Sequence, residues 1–297
     1  CSKHEMGAWH PESPARLAAI DEALRSEGLE QVLLHLEAPL AGRADLLRVH
    51  DIHHVGFIER NAPEHGHVEL DPDTAMNPDS LVAALRAAGA GILAVDKVMA
   101  GAVDNAFCAV RPPGHHAKRD RVMGFCLFNN IAIAAAYAFE VHGLARIAIV
   151  DFDVHHGNGT EDIFRDEPRL LLCSTFQHPL FPYCGADTVS DHIVNVPLPA
   201  GTDGAAYRAV FEARVLPALE RFQPELILFS AGFDAHRDDP LAGLNLLEDD
   251  FTWITAQVMD VAQRHAQGRI VSILEGGYNL QALGRSVAAH IRVLLGQ

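Results

Sequence analysis

Beyond residue 78 the chain alternates between two hydrophobic patterns. Short continuous apolar runs recur as DNAFCAV (104–110), RIAIVDF (146–152), RLLLCSTF (169–176), HIVNVPL (192–198), ELILFSAGF (225–233) and RIVSILEGG (269–277). Runs apolar on both alternating faces suit strands buried on both sides of a parallel sheet. Amphipathic stretches separate most of them, at 80–99, 129–142, 205–222 and 249–265, and each predicts a helix. An earlier helix is expected over 14–27, with Ser13 as N-cap, Pro14 in the first turn and Gly28 as the stop. Residues 66–80, GHVELDPDTAMNPDS, read as the longest polar loop. The alternation predicts one α/β domain over residues 1–297, with a mostly parallel sheet flanked by helices.

Composition narrows the picture. Hydrophobic residues form 49% of 297, enough for a sizeable core and too many for a disordered chain. No apolar run reaches the length of a membrane span, and no secretory signal opens the sequence. The abrupt start at CSKHEMG, without Met, leads us to expect an upstream segment. The five cysteines show no CxxC spacing and no paired framework, so reduced thiols in a cytoplasmic protein are expected. A formal charge of −16 argues against a phosphate-backbone partner and mildly favours a cationic substrate. A homo-oligomer stays open.

In open α/β sheets, ligands bind beyond the carboxyl ends of the strands. The unusual residues of this chain fall there. RPPGHHA follows the strand at 104–110, DFDVHHGNGT ends the one at 146–152, GFDAH ends 225–233 and EGGY ends 269–277. Asp151, Asp153 and His155 alternate, so in a strand they share a face. Asp153 and His155 offer an oxygen and a nitrogen, and Asp234 would add a third ligand. Two carboxylates and an imidazole suit a divalent first-row metal with an open position. His115 and His116 are adjacent and make a poor metal pair, but a good acid–base pair. Asp151 would orient one of them and Asn158 the other. Tyr278, behind two glycines, would donate its hydroxyl to a substrate carbonyl. A metal-assisted hydrolytic site is the reading that uses all of these. His53-His54, in contrast, reads as a structural pair.

Taken together, HPESPARL (10–17), RPPGHHA (111–117), GFCLFNN (124–130), DFDVHHGNGT (151–160), VNVPLPAGT (194–202), SAGFDAH (230–236) and EGGYN (275–279) span nearly the whole chain. As a set they resemble the zinc-dependent histone deacetylase family, which includes bacterial deacetylase-like amidohydrolases and acetylpolyamine amidohydrolases. The resemblance implies the arginase/deacetylase fold and one Zn²⁺ per chain on Asp153, His155 and Asp234. It implies that His116 takes a proton from the attacking water and returns it to the leaving amine. His115, paired with Asp151, would assist electrostatically, and Tyr278 would stabilise the oxyanion. Gly124 and Phe125 would line one side of a narrow tunnel, Phe181 the other, with Leu241 as a further apolar wall. Arg16 matches an internal-channel arginine. A structural K⁺ would sit at Asp151, Asp153, His155, Ser174 and Thr175.

Departures from the family pattern carry information of their own. Asn158 stands where class I members have Asp and class II-like members have Asn, so His116 is expected to have a lower pKa than an aspartate partner would give. Asp71 and Asp73 are both candidates for a rim acid that grips the substrate. Loop 177–187 looks short, which predicts an open tunnel mouth. The expected substrate is an N-acylated amine: an acetyl-lysine peptide, an acetylpolyamine or a small acylated metabolite. Two alternatives are a two-manganese ureohydrolase of the same fold, and a non-catalytic acyl-lysine binder.

Overall fold

The structure is a computed structural model describing residues 1–297. In chain order its elements are α1 (Ala15–Ser26), α2 (Arg43–Leu46), α3 (Ile52–Asn61), β1 (Val68–Glu69), β2 (Ala75–Met76), α4 (Ser80–Met99), β3 (Asn105–Cys108), α5 (Asn130–Val141) and β4 (Ile147–Asp151). They continue as α6 (Asn158–Phe164), β5 (Leu170–Gln177), β6 (Ile193–Leu198) and α7 (Gly204–Val210). A π-helical turn (Phe211–Val215) leads into α8 (Leu216–Phe222). The last elements are β7 (Leu226–Ala231), α9 (Glu248–His265), β8 (Ile270–Leu274) and α10 (Leu280–Leu294).

Six strands form one parallel sheet in the order β3-β8-β7-β4-β5-β6. Alternation along each strand divides the core in two. Ile147 and Ile149 of β4 join a cluster with α4 and α5 on one face. Ala148 and Val150 join a cluster with α9 and α10 on the other. All six apolar runs are strands; the four inner ones, β8, β7, β4 and β5, are buried on both sides as the continuous pattern predicts, while the edge strands β3 and β6 are only partly covered. β4 continues to β5 and β6 on one side, while β7 and β8 lie on its other side. The chain therefore reverses direction across the sheet at the β4–β7 pair, where a crevice opens beyond the strand ends.

Three expectations need correction. Pro14, not Ser13, is the N-cap of α1, and no side chain caps that end. The ring already fixes Pro14 near helical φ, at −54°, so the helix begins without a serine cap. The helix expected over 205–222 is interrupted by the π-helical turn. Pro217 follows it, and the missing N–H and the ring's clash with the carbonyl four residues back favour a wider turn there. The polar loop 66–80 contains a small antiparallel hairpin, β1 with β2. Helices α2, α3, α6 and α10 have no counterpart in the sequence reading. No helix is long and apolar enough to cross a membrane.

Candidate active site

The β4–β7 junction brings the proposed ligands together. β4 ends at Asp151, and the next residues, Asp153 and His155, curl over the strand end. Asp234 arrives from the loop after β7. One ligand atom from each of Asp153, His155 and Asp234 lies within 4.8 Å of the others. His155 Nδ1 is 3.0 Å from Asp153 Oδ1 and 3.2 Å from Asp234 Oδ2. Backbone amides hold the carboxylates from behind: Val154 N donates to Asp234 Oδ1 at 2.9 Å and Gly276 N to Asp153 Oδ2 at 2.8 Å. A Cβ at Gly232 would collide with Asp153, and one at Gly276 with both carboxylates, so these two glycines make the close approach possible.

Two observations fit this pocket to a cation. Asp234 Oδ2 is fully buried and, apart from the 3.2 Å approach of His155 Nδ1, makes no hydrogen bond, a costly state for a carboxylate oxygen unless a positive centre faces it. Burial and Asp153 raise the Asp234 pKa. Burial works against charge on His155, yet Asp153 and Asp234 push its pKa up to about 10. A proton on His155 offsets the negative charge here, a task that a divalent ion can also perform. The donor set of two carboxylates and one imidazole suits zinc with an open position.

Beside this pocket the two histidines are held in different states. His115 Nδ1 lies 2.9 Å from Asp151 Oδ2. Burial disfavours its charge, but Asp151, Asp153 and Glu275 together raise its pKa well above the usual value. His116 Nδ1 lies 2.7 Å from Asn158 Oδ1, which can only accept, so the ring's proton sits on Nδ1. Burial, then the neighbouring His115 and His155, keep the His116 pKa well below its usual value. The main cause is burial, and the Asn158 hydrogen bond acts the other way, so the low value does not come from asparagine at this position.

Around these groups lie the other expected residues. Phe181 packs edge-on to His116, with ring centroids 5.2 Å apart, and 6.3 Å from His155. Phe125 instead meets Tyr278 edge-on at 5.9 Å. Gly124 and Phe125 both have positive φ, 56° and 68°, and a Cβ at Gly124 would strike the His116 ring. Phe125 N donates to Thr74 Oγ1 at 3.1 Å, which helps to hold this strained conformation. That contact brings the 71–74 turn beside Phe125. Within it Asp71 accepts from Asp73 N at 2.9 Å and Asp73 from Thr74 Oγ1 at 2.8 Å. Both acids are half-buried, and the geometry does not rank them. Leu241 is half-buried too, its amide donating to Asp239.

Arg16 is buried and donates to the carbonyls of Gly277 at 2.7 Å and Glu275 at 2.5 Å, with its guanidinium 5.1 Å from the Tyr278 ring centre. At the expected potassium position, Ser174 Oγ contacts His156 Nδ1 at 3.3 Å, while Thr175 Oγ1 meets Tyr207 Oη at 2.5 Å and the Asp151 carbonyl at 3.4 Å. K⁺ at this position rests on the resemblance alone. His54 of the pair read as structural donates from Nε2 to the Leu127 carbonyl at 2.9 Å, away from the site.

Four buried residues of this neighbourhood escape the sequence reading, although three lie inside quoted motifs. Glu12 of HPESPARL bridges Arg16 and Arg111. Arg111 opens RPPGHHA. Glu275 of EGGY accepts from Gly114 N at 2.7 Å and His115 N at 3.1 Å, and burial pushes its pKa up to about 7. Asp239, the fourth, accepts from Tyr278 N. Each has at least one partner far away in sequence. A groove of about 940 Å³ runs along the edge strand β3 beside residues 32–38 and contains none of the site residues.

A parallel sheet with a carboxylate–imidazole pocket and paired histidines at its carboxyl edge defines an α/β protein of the arginase/deacetylase fold. The histone deacetylase domain matches residues 10–294. The chain is 43% identical over 281 residues to the histone deacetylase-like amidohydrolase of Pseudomonas aeruginosa, covering 92% of this chain and 73% of that one. It is 40% identical over 303 residues to the human polyamine deacetylase HDAC10, covering 96% of this chain and 44% of that longer one. The crystal structure of an HDA15 HD domain superposes with a TM-score of 0.93 at 36% identity, covering 99% of this chain and 85% of the other. The chain belongs to the histone deacetylase family.

Proposed function

We propose that this protein is a zinc-dependent amidohydrolase that removes an acetyl or similar acyl group from an N-acylated amine. One observation carries the reading: a neutral imidazole, His116, with Nδ1 fixed by Asn158 at 2.7 Å, stands beside three converging cation ligands. Asp153, His155 and Asp234 would hold the ion, which when bound supplies a Lewis acid for the amide carbonyl and the attacking water. His116, with Nδ1 committed to Asn158, has Nε2 free to take the water's proton and then deliver it to the departing amine. Burial, and then His115 paired with Asp151 at its back, hold His116 neutral and ready as a base. Tyr278 donates to the carbonyl oxygen as negative charge develops there. Phe125 and Phe181 flank the substrate's chain. A K⁺ near Asp151 and Ser174 belongs to the same proposal by resemblance.

A two-manganese ureohydrolase needs more ligands than the three that converge here. A non-catalytic binder leaves His116, Asn158 and Tyr278 without a role. For the substrate, the charge of −16 and a relative named polyamine deacetylase both favour a cationic acetylated amine. Elemental analysis tests the metal assignment. Wild-type protein should carry close to one zinc per chain and Asp234→Ala little, with turnover of acetylated polyamine and acetyl-lysine reporters lost in parallel. Full zinc occupancy in the variant would refute the ligand set.

A further inference from the structure

Tyr278 follows Gly276 and Gly277, and the second glycine sits at φ 124°, a backbone that side chains rarely adopt. Two glycines give a tyrosine freedom to point in many directions. Its aim must be set by what holds the turn. From one side Arg16 grips the carbonyls of Glu275 and Gly277. From the other, a single buried carboxylate grips the amides. Asp239 Oδ2 accepts from Tyr278 N at 2.7 Å and from Asn279 N at 3.2 Å. Its second oxygen accepts from Leu241 N at 3.0 Å. Asp239 is 6% exposed, so water does not compete strongly for these bonds.

Asp239 belongs to the same loop as Asp234. Its amide donates to the His236 carbonyl at 2.9 Å, and the loop's start is tied to the glycine turn by Phe233 N donating to Gly276 O at 3.0 Å. Asn279 reinforces the junction, its side chain donating to Asp238 O at 3.0 Å and accepting from Ala282 N at 3.0 Å at the start of α10. Charge-assisted bonds from one carboxylate to three amides define distance and direction together. Building on the function proposed above, we propose that Asp239 is a positioning residue, fixing the Tyr278 turn, and with it the phenol, relative to the loop that carries Asp234. The same carboxylate seats Leu241, so the carbonyl donor and one apolar wall share an anchor.

A double-mutant cycle separates positioning from general support. Asp239→Asn keeps the size but replaces one accepting oxygen with a donor. On an acetylated amine it should lower kcat by roughly 10- to 100-fold, as small misplacements of a reacting group do, with KM changing much less. Zinc content and the unfolding midpoint of the purified protein are measured alongside. In the Tyr278→Phe background the same substitution should cost less than about twofold, because the group it aims is already gone. If Asp239→Asn does not yield folded protein, Asp239→Glu, which retains charge but displaces the carboxylate by one methylene, goes through the same cycle. An equal loss in both backgrounds, or a loss of zinc accompanying the loss of kcat, overturns the assignment. If Tyr278→Phe is itself near normal, the carbonyl-donor reading falls, and this inference with it. If Tyr278→Phe is impaired and the losses multiply, only this inference falls.

Discussion

A single hydroxyl bears much of the proposed chemistry at residue scale. Negative charge grows on the carbonyl oxygen as water attacks, so a donor there is worth more in the transition state than in the ground state. Tyr278→Phe preserves the ring that packs against Phe125 and Arg16 and removes only the donor. We expect kcat to fall about a hundredfold, or ~3 kcal/mol, the typical cost of one oxyanion donor. Zinc content should not change, and steady-state kinetics should show KM moving far less than kcat. Near-normal kcat would leave Tyr278 as a packing residue. The sequence made the chemical groups legible, since DFDVHH set two carboxylates and an imidazole at one strand end and the doubled histidine announced acid–base work; the strand stops at Asp151, however, so a loop and not strand alternation brings Asp153 and His155 round. It did not make Glu275 or Asp239 legible, because their partners are backbone amides up to 161 residues away. Backbone amides carry no signature in a sequence.

At the scale of elements, the strands were readable because burial on both faces writes itself as continuous apolar runs. Helix α10 was equally readable in principle: Asn279 caps it, and Leu283, Val287, Ile291 and Leu294 repeat at helical spacing on its buried side. Helix α6 was not, because its opening NGT looks like a turn and its burial comes from the site around it. The loop after β5 carries Phe181 to His116, where under the proposed function it would supply one wall of the entry. Phe181→Ala should weaken substrates and hydroxamates that carry a long methylene chain by about tenfold, the scale of losing a well-packed aromatic contact. A minimal hydroxamate should bind nearly as before. Comparing inhibition constants for the two ligand types checks this, and equal losses would remove Phe181 from the wall.

Across the whole molecule, several histidines are buried without a carboxylate. Burial holds His50 and His290 down to about 3 and lowers His54 as well. His290 lies between Thr255 and Ser272, 2.7 and 2.9 Å from their hydroxyls. In the unfolded chain such rings titrate near 6.5. Above that value neither state binds the proton, and stability is fully retained. As pH drops below it, the unfolded state takes up protons that the folded state refuses, so stability falls progressively toward pH 3. Glu275, raised to about 7, and Asp239, raised to about 6, act in the opposite direction over part of this range. The informative measurement is therefore a difference. His290→Gln should lose stability less steeply than wild type between pH 6.5 and 4.5, as followed by urea midpoints. Parallel slopes would mean that His290 charges freely in the folded protein.

What the sequence determined by itself was the set of parts. Local pattern decides whether a run lies in a strand or a helix and which face each residue takes, since those depend on neighbours a few positions away. It also placed polar motifs at the ends of four strands. Which of those ends adjoin was decided only by the tertiary structure. Asp234 meets Val154 across 80 residues because β7 lies against β4, and Arg16 reaches Gly277 across 261 because α1 packs on α10. Strand order follows from crossover connections and from how two helical layers cover one sheet, and no short stretch of sequence contains that information.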